Sequence, residues 1–120
     1  MAAPNPLPEY VYKILDAPPA EPLPPELPVS ELDAKDGFVH LSTAAQVPGT
    51  ASLFFDAFPS LWLLKVPLDR LHDTRWEGSD AQGRAFPHFY GKLGAAHVDG
   101  FRELRRPRDG WAALSDAWLE

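Results

Sequence analysis

The sequence predicts a small α+β domain, five or six short strands with one principal helix between the second and third, and three observations carry that expectation. Runs rich in β-branched, aromatic and aliphatic residues recur at EYVYKIL, FVHLS and LWLLKV, each too short for an ordinary helix. A single segment, Thr43 to Phe58, has both the length and the apolar stripe of a helix. Strands and helices do not alternate regularly and no repeat at fixed period appears, which favours α+β over a doubly wound sheet.

Residues Glu9 to Leu15 read as the first strand, and the chain turns at Asp16. The run Ala17 to Pro28 holds too many prolines for a helix interior or a paired strand, so an extended surface loop is expected, open to contact with an aromatic-lined groove of a partner. Ser30 to Gly37 supplies one helical turn or a tight turn, and Asp36-Gly37 delivers the chain into the second strand, Phe38 to Ser42. Alternation puts Phe38, His40 and Ser42 on one face and Val39 and Leu41 on the other. In the helix that follows, Ser42 or Thr43 is the N-cap, and Ala44, Val47, Ala51, Phe54, Phe55 and Phe58 form the stripe. Pro48 and Gly49 predict a kink or two pieces. Leu61 to Val66 is a buried central strand, Leu68 to Leu71 a turn, Thr74 to Glu77 a short strand, and Gly78 to Arg84 a polar loop. Pro87 places the start of Phe86 to Gly91 at a sheet edge or turn. A late strand lies within Ala96 to Leu104, and Trp111 and Trp118 anchor the terminal segment, which includes a small helix.

A chain of 120 residues, 45% hydrophobic and 23% charged, suits one globular domain, expected over residues 9–120 behind a flexible N-terminus of residues 1–8. Without cysteine there is no disulfide, thiolate nucleophile or cysteine-ligated metal, and a reducing, cytoplasmic setting is the natural expectation. No basic leader precedes an apolar run and no apolar stretch approaches the ~20 residues of a membrane helix, so no membrane partner is expected. A formal net charge of −6 argues against general nucleic-acid binding. The local exception is Arg102, Arg105, Arg106 and Arg108, either a phosphate-holding cluster or a solvated strand end.

Three groups of residues can carry chemistry. His40 can titrate near neutral pH beside Ser42, and the Ser42-Thr43 step opens a helix whose free N–H groups favour an anion or carbonyl; equally, His40 can fix a turn and Ser42 cap the helix. His88 and Tyr90, two residues apart, point the same way on an extended segment and suit a sugar or aromatic ring, or else plug the core. Glu77 beside Trp76 reads as a desolvated general acid or as an ion-pair partner of Arg75 or Arg84. His40, His72, His88 and His97 lack metal-ligand spacing, so no metal is expected, and no P-loop, GxGxxG or GxSxG motif is present.

The run Asp36 to Thr43 with Gln46, then Trp76-Glu77, then Phe86 to Gly91, in that order and with Ser30-x-x-Asp33-x-x-Asp36-Gly37, resembles a widespread bacterial and fungal family of uncharacterised domains. The likeness spans Tyr10 to about Leu104 and departs from the family at Ala17 to Pro28, where other members carry a tryptophan-containing helical stretch. The resemblance implies an ADP-ribosyltransferase-like fold, a split mixed sheet whose cleft binds NAD, as in the tRNA 2′-phosphotransferases. It implies that His40 takes the place of the histidine that anchors the nicotinamide ribose, with His88 or Tyr90 as a second contact. Some fungal members bear a glutathione-transferase label, but no thioredoxin-like first domain is legible here.

Two functional readings follow. In one, an NAD-using ADP-ribosyl or 2′-phosphate transferase-like enzyme employs His40, Glu77 and His88 in catalysis and Ser42, Thr43, Trp76 and Tyr90 in binding a small-molecule or nucleotide ligand. In the other the same cleft binds without turnover, or the motifs keep the fold of an interaction domain. The sequence leaves the oligomeric state open.

Overall fold

The computed structural model describes residues 3–120. Its elements in chain order are β1 (Tyr10–Leu15), α1 (Glu31–Asp36), β2 (Val39–His40), α2 (Val47–Phe54), β3 (Ser60–Pro67), β4 (Thr74–Glu77), β5 (Phe86–Phe89) and β6 (Phe101–Arg105). Short 3-10 turns lie at Ala44–Gln46, Leu68–Arg70, Ala95–His97 and Trp111–Ala113. The α+β class is as the sequence predicts.

The strands form two three-stranded sheets, ordered β1-β3-β6 and β2-β5-β4. Every pairing in them is antiparallel, where a single split sheet of mixed direction was expected. Chain length accounts for the difference after β3: the intervals 68–73, 78–85 and 90–100 all fall short of the roughly dozen residues that a parallel crossover needs. Among the described residues their backbone ladders join at one residue pair. The Tyr12 N–H donates to the Ser42 carbonyl at 2.7 Å, and the Ser42 N–H to the Tyr12 carbonyl at 2.9 Å.

That seam corrects the second strand. Regular pairing with β5 covers only Val39 and His40, the Leu41 N–H reaches the Pro87 carbonyl, and at Ser42 the chain changes partner to β1. The helix 43–58 is also shorter than expected. Pro48 sits in the first turn of α2, where its missing N–H costs no intrahelical bond, so the residues before it adopt a 3-10 turn. Val47 and Ala51 bury and Phe55 packs against them, but Phe54, expected in the buried stripe, is 68% exposed because it lies off that i, i+4 line. Pro87 lies in the central strand of the second sheet, not at an edge. Its carbonyl faces β2 and so does its ring nitrogen, just past the residues where β2 ends, so no ladder donor is lost to β4.

Alternation along β1 and β3 builds a core on each face of the first sheet. Val11, Leu64 and Val66 pack with Val39, Leu41 and Phe89 of the second sheet. Tyr12, Ile14, Leu61 and Leu63 pack with Val47 and Ala51 of α2 and with Trp111, whose indole N–H donates to the Phe58 carbonyl at 3.0 Å. On this second face the buried Lys65 ammonium donates to the Trp118 carbonyl at 2.7 Å and to Glu120 Oε2 at 2.5 Å, between the Tyr10 and Trp118 rings. The terminal tryptophans thus hold the C-terminal segment to the body.

The proline-rich run has no regular structure, yet it is tied down. The Leu27 N–H donates to the Leu93 carbonyl at 2.8 Å, the Ala95 N–H to the Pro24 carbonyl at 3.0 Å, and Leu27 packs on the first core. Only glycine fits at position 94, because a Cβ there would lie 1.6 Å from the Pro25 carbonyl oxygen. The loop 78–85 is organised by Asp80, which accepts from the N–H groups of Gln82 and Arg84, the Arg84 guanidinium and the Gln46 amide. Desolvation pushes its carboxyl up, but these donors together, led by the Arg84 N–H and the Gln46 amide, bring it down to about 2.

Replacing Gly94→Ala is expected to lift the proline-rich strap, destabilising the fold by about 1–3 kcal/mol and speeding hydrogen exchange at Leu27 and Ala95. Denaturant melts and amide exchange measure both. Because the Asp80 carboxyl is held below its ordinary value in the folded state, its contribution to stability is present above pH ~3.8 and lost as pH falls towards about 2. Asp80→Asn should therefore flatten the stability profile in that window, as read by thermal melts across acid pH.

Candidate functional site

The pleat of the second sheet sorts its residues into two faces. Val39, Pro87 and Phe89 are buried, while in register on the other side His40 stands opposite His88 and His88 opposite Arg75. One step beyond the strand ends, Phe38 and Tyr90 join this outer face, and Glu77 lies two residues along β4 from Arg75.

The outer face is a packed row of rings. Phe38 stacks on His88 with centroids 4.2 Å apart and 24° between planes, and it contacts His40 at 4.5 Å and Tyr90 at 5.1 Å. At one end the Glu77 carboxylate gathers two donors: the Tyr90 hydroxyl donates to Oε1 at 2.7 Å, and His88 Nδ1 lies 2.9 Å from the same oxygen. The Tyr90 hydrogen bond, then that of His88, holds the Glu77 carboxyl below its usual range, while Glu77 raises the Tyr90 phenol. The Arg75 guanidinium lies 3.8 Å over the Tyr90 ring and is fixed by two bonds to Asp73.

At the other end His40 sits against α1. Its Nδ1 is 2.6 Å from Asp33 Oδ1 and its Nε2 2.9 Å from Asp36 Oδ2, so each ring nitrogen faces a carboxylate. Ser30 caps α1 by accepting from the Asp33 N–H, and Gly37 ends it at φ 80°, a left-handed conformation that glycine adopts without strain. The buried Asp33 carboxylate also accepts from the His40 N–H at 3.2 Å and from the Lys13 ammonium at 2.7 Å. Burial raises its carboxyl, but Lys13 and then His40 outweigh that and lower it.

The structure therefore brings His40, His88, Tyr90 and Glu77 to one face and separates three other predicted residues from it. Ser42, expected beside His40, is 3% exposed because the chain changes sheets there, and its hydroxyl lies 3.4 Å from that of Thr50. Thr43 closes the 3-10 turn, its N–H donating to Gln46 Oε1 at 3.1 Å. Trp76 points to the opposite face of β4 and packs on the first core, so it does not desolvate Glu77. The ion pair expected between Glu77 and Arg75 or Arg84 does not form either, since Arg75 pairs with Asp73 and Arg84 with Asp80. An ionised Glu77 with lowered affinity for its proton is also not the general acid that its neighbour Trp76 had suggested.

Sequence reasoning missed Asp33, Asp36 and Lys13 as partners of His40, and Arg75 as a neighbour of Tyr90. Alternation with Glu77 was the signal available for Arg75, and the quoted Ser30-x-x-Asp33-x-x-Asp36 spacing the one for α1. Among the described residues no group of three or more His, Asp or Glu side chains is arranged to hold a metal ion. Arg102, Arg105, Arg106 and Arg108 are all exposed, and Arg102 pairs with Asp116 at 3.4 Å. A cleft of about 550 Å³ between Pro4–Pro8, Gln46 and Arg84, and another of about 240 Å³ beside α1, are not lined by His40, Glu77, His88 or Tyr90. No helix among the described residues is long and apolar enough to cross a membrane.

Two antiparallel sheets joined at one residue pair, with a histidine, tyrosine and carboxylate face on the second, define a small α+β domain with an open polar site. The chain belongs to the family described as "Protein of unknown function (DUF952)", whose model matches residues 22–101. It is similar to the crystal structure of protein CC0527 from Caulobacter crescentus, with 34% identity, 84% of this chain and 90% of that chain covered, and a TM-score of 0.69. The solution NMR structure of CC0527 is also similar, at 34% identity over 85% and 90% of the two chains and a TM-score of 0.62. No curated protein matches the chain.

If Glu77 restrains the Tyr90 proton as the geometry indicates, Glu77→Gln should return the raised phenol titration towards 10.0. Ultraviolet titration, with Tyr90→Phe to assign the signal, measures it. The Glu77 carboxyl should itself titrate below 4.5 in carbon-detected NMR and move upward in Tyr90→Phe.

Proposed function

We propose that the outer face of the second sheet binds a small ribose-bearing nucleotide of the NAD or ADP-ribose type, anchored by Glu77. The observation that carries this reading is the convergence of the Tyr90 hydroxyl and His88 Nδ1 on Oε1 of Glu77, which favours the ionised carboxylate and leaves Oε2 without a hydrogen-bond partner among the described residues. A fixed carboxylate with a spare oxygen accepts from the adjacent hydroxyls of a ribose, and hydrogen bonds to a charged acceptor are the stronger kind. Phe38 gives the sugar or base an apolar flank, and Arg75 places positive charge at the rim for a phosphate.

The ADP-ribosyltransferase-like relationship belongs to the same proposal. We read the parting of the sheets between β1 and β2, closed only at Tyr12 and Ser42, as the split of that fold. Turnover would then run through Glu77. The bond from ribose C1′ to the nicotinamide nitrogen breaks, its electron pair leaves with nicotinamide, and the oxocarbenium charge at C1′ forms beside Oε2. Water or an acceptor hydroxyl adds at C1′ and releases its proton to solvent. An ionised Glu77 suits this electrostatic role.

His40 has a different part. With both ring nitrogens facing the carboxylates of α1, it clamps α1 to β2, in contrast to the ribose-anchoring role that the resemblance implied. This favours a fold-keeping reading for His40 alone.

Calorimetric titration with ADP-ribose, NAD and AMP tests the proposal. Glu77→Gln is expected to weaken ADP-ribose binding by roughly 10- to 100-fold, the loss of one charge-assisted bond, with the fold intact, whereas His40→Ala should lower the melting temperature. Nicotinamide release from bound NAD separates turnover from binding. If the folded wild-type protein binds none of the three at millimolar concentration, the face keeps the fold and does no more.

A further inference from the structure

The cleft of about 240 Å³ beside α1 is a separate cavity, roofed by the proline-rich strap and floored by the first core. Its apolar walls include Leu15, Leu27, Val39, Leu64 and Leu93. An engineered apolar cavity of ~150 Å³ holds benzene, so this one has room for a single substituted ring. Lys13 and Asp33 line its inner wall, Glu26 and Lys92 pair with each other at 3.3 Å on its exposed rim, and the polar groups of the inner pair are not all used.

Lys13 Nζ donates to Asp33 Oδ2 at 2.7 Å and to the His40 carbonyl at 3.4 Å, which leaves one of its three N–H groups without a partner among the described residues. Asp33 Oδ1 faces the His40 N–H and Nδ1, while Oδ2 accepts only from Lys13 and keeps one lone pair. The pair therefore keeps one spare donor next to one spare acceptor, and it carries no net charge. A carboxylate placed against this pair would be repelled by Asp33 and an amine by Lys13. A carboxamide satisfies both, its carbonyl accepting from Lys13 and its N–H donating to Asp33.

We propose that this cleft is a binding site for a neutral single-ring carboxamide or lactam, the ring lying among the leucines and the amide on the Lys13–Asp33 pair. The site is distinct from the Glu77 face and does not depend on nucleotide binding there, although Phe38 borders both.

The test is a proton–nitrogen NMR titration of the full chain with benzamide, benzoate and benzylamine. Benzamide is expected to give saturable shifts centred on Leu27, Ala34 and Leu93, with a Kd on the order of 1 mM for so small a molecule. Benzoate and benzylamine should bind at least ~10-fold more weakly. Lys13→Met would remove the cation from the buried Asp33 carboxylate and destabilise the fold strongly enough to confound the readout, so Ala34→Trp is the deciding variant. Ala34 is an exposed residue of α1 that lines the cleft, and the indole fills the entrance without disturbing the core. Loss of benzamide binding in folded Ala34→Trp, with binding retained in Glu77→Gln, supports the proposal. Equal affinity for the charged probes, shifts away from the cleft, no saturable shift, or binding unchanged in Ala34→Trp overturns it.

Discussion

A carboxylate taken out of water has to be satisfied, and Asp33 does so by drawing three elements to one point. Its side chain accepts from Lys13 of β1 and from the N–H and ring of His40 on β2, while its own N–H is taken by the Ser30 cap of α1. Removing Lys13 or His40 would leave the buried carboxylate short of a donor, and breaking a buried pair costs more than the net worth of the bond. The direction of β2 follows from this junction, and with it the order of side chains on the outer face of the second sheet. Phe38 lies on the rings because α1 ends at Gly37 and His40 is held to α1.

Glu77 and Asp33 illustrate two uses of one residue type. Asp33 is enclosed and paired with a lysine, so its oxygens mainly bind structure together. Glu77 is held by a phenol and an imidazole on one oxygen, and its other oxygen has no hydrogen-bond partner among the described residues. The distinction comes from the elements that carry them. Asp33 lies in a short helix pressed against a strand, whereas Glu77 lies on β4 at the edge of its sheet, where one side of the strand has no neighbour.

Local pattern made most of the fold legible. The strands around EYVYKIL and LWLLKV, the alternation that puts Phe38 and His40 on one face, and the division at Pro48 all depend on near neighbours, so the amino-acid order alone carries them. What escaped reading depends on distant partners. Ser42 buries because Tyr12, 30 residues earlier, replaces β5 as its neighbour. Trp76 faces inward because the register of β4 with β5 puts it opposite Pro87, and nothing within TRWE fixes that choice. The partners of Glu77 followed from the same register. His88 and Tyr90 were visible as a pair, but their common acceptor was not.

The seam between Tyr12 and Ser42 also bears on how the molecule holds together as a unit. β1 contributes to the ladder of the first sheet, supplies residues to both cores, provides Lys13 for Asp33 and carries the one pair that bridges the sheets. It lies outside residues 22–101, the span the family model matches, and so does most of β6 together with the terminal tryptophans that enclose Lys65. The boundary recognised by family likeness is consequently narrower than the set of strands that complete the two sheets. A fragment cut at those limits would lose the strand common to both halves and would leave two incomplete layers with no shared edge.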